Sequence, residues 1–366
     1  MSKIDGLHLL WWGRADSDYS RNRIVLKLLA LLGVRVSFFR PLFSRTGGIE
    51  AYLKRLTRPD MIWVPCFRQN DIRSASFQAR KWNVPLVVDP LISAYEKEIF
   101  EKNKAPRNSL KAEKLRLWEQ DLFAQADILV ADTPAHGTFF QDTLGVDSQK
   151  TAVLYVGAET DLFTPQPMPP DDAPFEILFY GSYLALQGVD VIIEAAKKSS
   201  PDLQWVILGD GNLRASMEKQ AQGAANIRFE SWRPYKKLPE RIARAHILLG
   251  IFGTTIKANL VIPNKMFQAM AVGRPVITRH SDAFKDTLAG SDVIGWVPPG
   301  DADALSALVN HWAAHPQDLA QRGCATRQLS DDYFSMDKLA VMLENILNIV
   351  IESNASFRLR VPRNFK

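Results

Sequence analysis

The chain has 366 residues, is 46% hydrophobic and 23% charged, and carries a net charge of +5. That length supports two ordinary domains, and that composition is a soluble globular protein's. No run of about 18 apolar residues is present, which argues against a transmembrane helix, and two cysteines, Cys66 and Cys324, exclude a disulfide scaffold or a four-cysteine zinc site and fit a reducing cytoplasm.

The opening MSKIDGLHLLWWGR has too short an apolar stretch for a signal peptide. His311 and His315 share a helix face but have no third metal ligand in view, so they read as surface histidines. Basic residues cluster at 40–81 and 97–116, and Arg358, Arg360, Arg363 and Lys366 form a basic tail. A phosphorylated ligand or an anionic membrane surface would account for this charge, and so would a merely solvated surface. Nucleic acid is set aside because zinc-finger spacing, an RNA-binding aromatic signature and a long basic tract are all missing.

Leu7–Trp12 reads as a strand ending at Gly13, followed by a polar loop over 14–22, a helix over 24–32 closed by Gly33, and a strand over 34–39. This βαβ opening has one glycine at its crossover and no GxGxxG fingerprint, so a nicotinamide dehydrogenase is disfavoured. Strands follow at 61–64, 86–88, 128–130 and 151–155, with helices over 70–82 and, unbroken, over 97–123. Residues 161–174, DLFTPQPMPPDDAP, hold five prolines and read as a linker. The alternation then restarts, with strands at 176–180, 205–208, 227–229 and 247–251. Helices are expected at 189–198, 213–222, 238–243, 303–314, 317–328 and 336–352.

Residues 260–280, LVIPNKMFQAMAVGRPVITRH, form the central unit. Pro263 suits the first turn of a helix, and Asn264 is placed to bond free amides there. Gly273 suits the helix C-terminus, and Val276–Thr278 a buried strand. Lys265 beside a helix N-terminus is an anion-binding arrangement, although a solvated lysine on a packing helix fits the same residues. Gly181-Ser182, Gln187-Gly188, Gly209 with Gly211, and Trp232-Arg233 fall at the ends of neighbouring strands, on one edge of one sheet.

The run ILFYGSYLALQGVDVIIEAAK, WVILGDGNLRASM, IRFESW and IPNKMFQAMAVGRPVIT resembles the nucleotide-sugar-binding domain of glycosyltransferase family 4. The resemblance covers 176–300 well and the first half loosely, through QADILVADTP and VLYVGAETDLFTP. It implies a GT-B fold: two Rossmann-like doubly wound α/β domains facing across a cleft, with the C-terminal helix crossing back to the first. The first domain would be 1–164 with 335–366 and bind the acceptor; the second would be 165–334 and bind the nucleotide sugar. Typical members carry two glutamates, which would fall at Leu260 and Gln268. Their arginine and lysine of the first glycine loop would fall at Ser182 and Gln187. None of these is charged here, so Lys265 is the candidate replacement for the diphosphate clamp, with Arg274 second. Gln268 retains hydrogen-bonding capacity for a ribose.

The expected donor site is Gly13, Gly181, Ser182, Gln187, Gly188, Gly209, Gly211, Trp232, Arg233, Asn264, Lys265 and Gln268. Asp89, His136 and Lys265 are the catalytic candidates, and Arg14, Arg21 and Asn22 the acceptor-side ones. Asp89 reads equally as turn chemistry before Pro90, and His136 equally as a capping or surface histidine. The resemblance implies retaining transfer from a nucleotide-diphosphate sugar to a glycan or lipid-linked acceptor in cell-surface polysaccharide or glycolipid synthesis. The location implied is the cytoplasm or the inner membrane face, with no metal or other cofactor: Asp301-Ala302-Asp303 sits at a helix start, where capping explains it. A catalytically silent nucleotide-sugar-binding or scaffold protein of this fold, or a nucleotide-sugar epimerase, are the alternatives.

Overall fold

Apolar runs alternating with helices build two parallel sheets. The computed structural model describes residues 4–360, with side chains as far as Glu352; the basic tail lies outside the described side chains. The chain divides into two units, Met1–Val156 with Asp337–Lys366, and Gly157–Met336.

In the first unit the elements are β1 (His8–Trp12), α1 (Ser20–Leu31), β2 (Arg35–Phe39), α2 (Gly47–Leu53), β3 (Met61–Val64), α3 (Ile72–Trp82), β4 (Leu86–Val88), α4 (Leu110–Phe123), β5 (Ile128–Ala131), α5 (Pro134–Leu144) and β6 (Thr151–Val153). The sheet order is β2-β1-β3-β4-β5-β6, all parallel. β3, β4 and β5 are buried along their whole length, as expected of strands covered by helices on both faces.

In the second unit they are β7 (Glu176–Tyr180), α6 (Val189–Lys198), β8 (Gln204–Leu208), α7 (Arg214–Gln220), β9 (Ile227–Glu230), α8 (Leu238–Ala243), β10 (Ile247–Leu249), α9 (Ile256–Leu260), α10 (Asn264–Val272), β11 (Val276–Arg279), β12 (Gly295–Val297), α11 (Ala302–Ala313) and α12 (Gln317–Phe334). Its parallel order is β12-β11-β10-β7-β8-β9. Phe179, Trp205, Ile207, Ile192 and Leu249 are fully or almost fully buried in one core, each contributing roughly 1.5–3 kcal/mol of burial free energy. The final helix, α13 (Met336–Arg360), groups from Asp337 onward with the first unit.

Three expectations fail here. The helix over 97–123 is not continuous: a π-helical turn at Glu96–Glu101 ends at Asn103, which has positive φ, and α4 starts only after Ser109, whose hydroxyl accepts from the Ala112 amide at 3.2 Å. Pro106 in between has no N–H to continue a helix. The elements α2, α5, α9 and β12 were not foreseen. The proline-rich stretch is docked against the second unit: Phe163 is buried, the Gln166 amide donates to the Val272 carbonyl, and Arg274 donates to the carbonyls of Gln166, Pro167 and Ala243. Arg274 is thus an anchor, and its expected second place as a phosphate clamp falls away.

Candidate functional site

The carboxyl edge of the second sheet is laced by glycine loops. Gly181 leaves β7 with φ +152°, and Gly209 leaves β8 with φ +139°; a Cβ on Gly209 would stand 1.9 Å from the Gly181 carbonyl oxygen. Gly188 is left-handed at the start of α6, where a Cβ would meet the Gly253 nitrogen at 2.5 Å, and a Cβ on Gly211 would meet the Tyr183 nitrogen at 2.7 Å. Only glycine permits this approach of one backbone to another. The loops are tied together by Gly181 N to Leu208 O, Tyr183 N to Asp210 O and Phe252 N to Gln187 O, each at 3.0 Å. Beside them lies a recess of about 410 Å³, lined by Leu184, Ala185, Leu213, Gly253, Thr254 and Gly300.

Lys265 reaches into this edge from the start of α10. It is 6% exposed, and its ammonium donates to Gln187 Oε1 at 2.6 Å and to the Gly250 carbonyl at 3.4 Å. Its Nζ lies 3.5 Å from the centroid of the Phe179 ring. Burial holds its pKa well below the ordinary lysine value. A Cβ on residue 181 would sit 3.2 Å from this nitrogen, so Gly181 leaves room for the ammonium. The neighbours of this buried amine are thus two neutral oxygens and an aromatic ring.

The cap of α10 differs from expectation. Pro263 is the extended N-cap residue and Asn264 the first helical one, and no side chain caps the first-turn amides. Asn264 does not bond them, and the Pro263 carbonyl accepts from Met266 N at 2.8 Å. One turn on, the Tyr180 hydroxyl donates to Gln268 Oε1 at 2.8 Å. Ser182 is exposed at the loop, as is Trp232 (62%) after β9. Arg233, also exposed, lies 3.4 Å from Glu230.

Sequence reasoning missed Arg279, at the carboxyl end of β11. It is buried, donating to the Gly253 carbonyl at 2.7 Å and to Asn259 Oδ1 at 3.2 Å, and burial lowers its pKa. An arginine closing the apolar run Val276–Thr278 at a sheet edge was the available signal. Asp301 caps α11 by accepting from the Ala304 amide at 2.8 Å, and Asp303 pairs with Lys198 at 2.7 Å.

At the carboxyl edge of the first sheet, four expected ligand-facing groups are framework instead. Arg21 is wholly buried; its Nε donates to Asp89 Oδ2 at 2.8 Å, and its Nη1 to the Leu154 carbonyl at 2.6 Å. Burial raises the Asp89 carboxyl pKa, opposed by that guanidinium. Asn22 is buried, donating to the Asp16 carbonyl and accepting from Cys66 Sγ. His136 is buried with Nδ1 2.6 Å from Asp132 and Nε2 3.3 Å from Glu96. Burial alone would lower its pKa, but the two carboxylates raise it to about 10. A buried charge needs such partners, and these use up the groups expected at a ligand. Gly13 (φ +137°) packs closely on Arg68 and Asp71, and Arg14 is exposed.

A family model described as glycosyl transferases group 1 matches residues 174–315. The amylovoran biosynthesis glycosyltransferase AmsK of Erwinia amylovora is 26% identical over 215 residues, 56% of this chain and 53% of its own. The putative colanic acid biosynthesis glycosyltransferase WcaL of Escherichia coli is 29% identical over 197 residues, 51% and 48% respectively. The chain therefore spans about half the length of these relatives. Among solved structures, Anabaena HepE in complex with UDP matches with a TM-score of 0.71 at 15% identity, covering 93% of this chain and 100% of that one, a likeness of fold. Residues 174–315 thus resemble the group 1 glycosyltransferases, and the chain has the GT-B fold.

Proposed function

We propose that this chain is a retaining glycosyltransferase that moves a sugar from a nucleotide-diphosphate donor to a glycan or lipid-linked acceptor, in cell-surface polysaccharide or glycolipid synthesis at the cytoplasmic face of a membrane. The observation that carries the reading is the contact of Lys265 Nζ with Gln187 Oε1 at 2.6 Å. Position 187 is where the family's loop lysine would fall. The cation has moved to α10 in sequence, yet it stands at the glycine loop.

In this reading Lys265, the uncapped amides of α10 and the Gly181 loop receive the diphosphate. They stabilise the negative charge that develops as the sugar departs, from groups already fixed in place. Trp232 offers a flat face to the base, and Gln268 a side-chain amide to the ribose. No resident metal is invoked, since the cationic role falls to Lys265. Arg14 is the exposed acceptor-side group of the first unit.

A second reading, a catalytically silent nucleotide-sugar binder, draws on the uncharged residues at Leu260 and Gln268. One experiment separates the two. Thermal shift is measured against UDP, GDP, ADP, CMP and their sugar conjugates, with UDP first because HepE was solved with it. A ligand at a hundredfold excess over its Kd adds about 2.7 kcal/mol of stability. A shift followed by sugar transfer to an acceptor extract supports transfer; a shift with no turnover on any acceptor supports the silent reading. No shift with any nucleotide refutes both.

A further inference from the structure

We propose that Leu42, Phe43, Ile49, Tyr52, Leu53 and Phe77 form a docking face for an anionic lipid bilayer. The inference rests on the transfer reading only for the identity of the acceptor; the surface itself is argued from its own residues. These six side chains are between 57% and 72% exposed. They are contiguous: Ile49, Tyr52 and Leu53 fall on one face of α2, and Phe77 of α3 lies 3.0 Å from where a Cβ on Gly48 would be. The Leu42 amide donates to Glu50 Oε2 at 2.6 Å, which folds 42–43 back onto α2.

α2 is amphipathic the wrong way round for a water-facing helix. Its small residues, Gly47, Gly48 and Ala51, are buried, and its large apolar ones point outward. Gly47 and Gly48 are necessary on the inner side, because a Cβ on Gly47 would meet Ser74 Oγ at 2.9 Å. An exposed apolar patch of this kind marks an interaction site.

Charge selects the partner. Residues 40–81 hold nine Lys/Arg against three Asp/Glu, a net of +6 where the whole chain has +5. Arg40, Arg45, Lys54, Arg55 and Lys81 are all exposed around the patch. The acid on α2, Glu50, is paired with Lys54 at 2.7 Å, and Lys81 Nζ lies 4.6 Å from the Tyr52 ring centroid. An apolar face ringed by cations and carrying aromatic residues suits the headgroup layer of an anionic leaflet. A second copy is disfavoured, since a two-fold dimer would set this excess of cations against itself.

The test uses the full chain and sedimentation with vesicles of phosphatidylcholine containing about 30% phosphatidylglycerol, or none, at low and high salt. Binding is expected to the anionic vesicles at low salt and to fall on raising salt or omitting phosphatidylglycerol. The double variant Ile49→Gln/Leu53→Gln lowers partitioning at least about tenfold, with melting temperature and donor thermal shift unchanged. Arg45→Ala/Arg55→Ala weakens binding and flattens its salt dependence. The proposal is overturned by absence of binding at low salt, by binding that both variants leave intact, or by a dimer that Ile49→Gln/Leu53→Gln dissociates with no vesicle binding. Vesicle binding without any donor shift would sink the transfer reading and leave this face standing; the reverse result would do the opposite.

Discussion

Lys265→Met separates a functional cation from a structural one. Methionine keeps most of the apolar stem in the space beside Phe179 and removes only the ammonium. The losses to the fold are one hydrogen bond at 2.6 Å, one long contact at 3.4 Å and a cation–π contact, each worth roughly 0.5–2 kcal/mol. The gain is relief from holding a charge in a buried position with no carboxylate on it, a cost of comparable or larger size. Gln187 is part-exposed, so water can satisfy its freed oxygen. The melting temperature is therefore expected to stay level or rise. Donor affinity is expected to fall about 10- to 100-fold, the worth of one or two charge-assisted hydrogen bonds of about 1.5–3 kcal/mol to a diphosphate. Calorimetric titration with the responsive nucleotide measures this, and the exchanged pair Lys265→Gln/Gln187→Lys should recover part of the loss by returning the ammonium to the loop. Burial depresses the folded-state pKa of Lys265. The lysine by itself therefore makes the unliganded protein more stable as pH rises from that depressed value towards the ordinary lysine value, while diphosphate binding favours the charged form and raises its pKa. Titrations across pH in buffers of different ionisation enthalpy report the linked protons. Unchanged affinity in Lys265→Met would refute the clamp, and a melting temperature lowered by more than about 10 °C, several kcal/mol for a unit of this size, would make the lysine structural.

Arg274→Met is expected to behave in the opposite way. This guanidinium holds three backbone carbonyls at 2.5–2.9 Å, and leaving them without donors costs about 2–3 kcal/mol, or about 5–10 °C in melting temperature. Limited proteolysis should then cut within 161–174; an unchanged digestion pattern would be against the anchor. At His136, the folded pKa of about 10 exceeds the ordinary value near 6.5. Its contribution is full below about pH 6.5 and is lost as pH rises through about 10, a change of about 5 kcal/mol. Urea midpoints of the wild type minus those of His136→Gln should shrink steadily over that window, and a flat difference would show that the ring is neutral.

The alternation of strands and helices was legible because buried parallel strands are short apolar runs and their boundaries are glycines and prolines. The glycine loops at 181–188 and 209–211 were legible for the same reason. What escaped depends on distance in sequence. Nothing near Asp89 announces Arg21, 68 residues away, so both looked free for a ligand. Asp132 and Glu96 likewise enclose His136 from separate elements. Residues 47–53 gave no helical pattern to read, because their apolar face is outward and their inward face is glycine and alanine. Pro263 was one position off, since an extended proline at the cap and a helical one after it are nearly the same in sequence.

The departures from the family pattern are linked rather than separate losses. With glutamine at 268 the Tyr180 hydroxyl still has an acceptor, but no carboxylate is supplied within one turn of Lys265. A glutamate there would hold a negative charge near the buried ammonium and near any diphosphate bound to it. Leucine at 260 removes the other carboxylate from the same edge. Compared with the usual arrangement, the site has given up two loop cations and two carboxylates and has gained one lysine. That lysine is buried, where a charge counts for more than at the surface. An uncompensated ammonium is costly to the empty protein and favourable once an anion arrives. On the proposed reading, the residues at 182, 187, 260 and 268 leave the edge fit for a diphosphate through one deeply buried lysine.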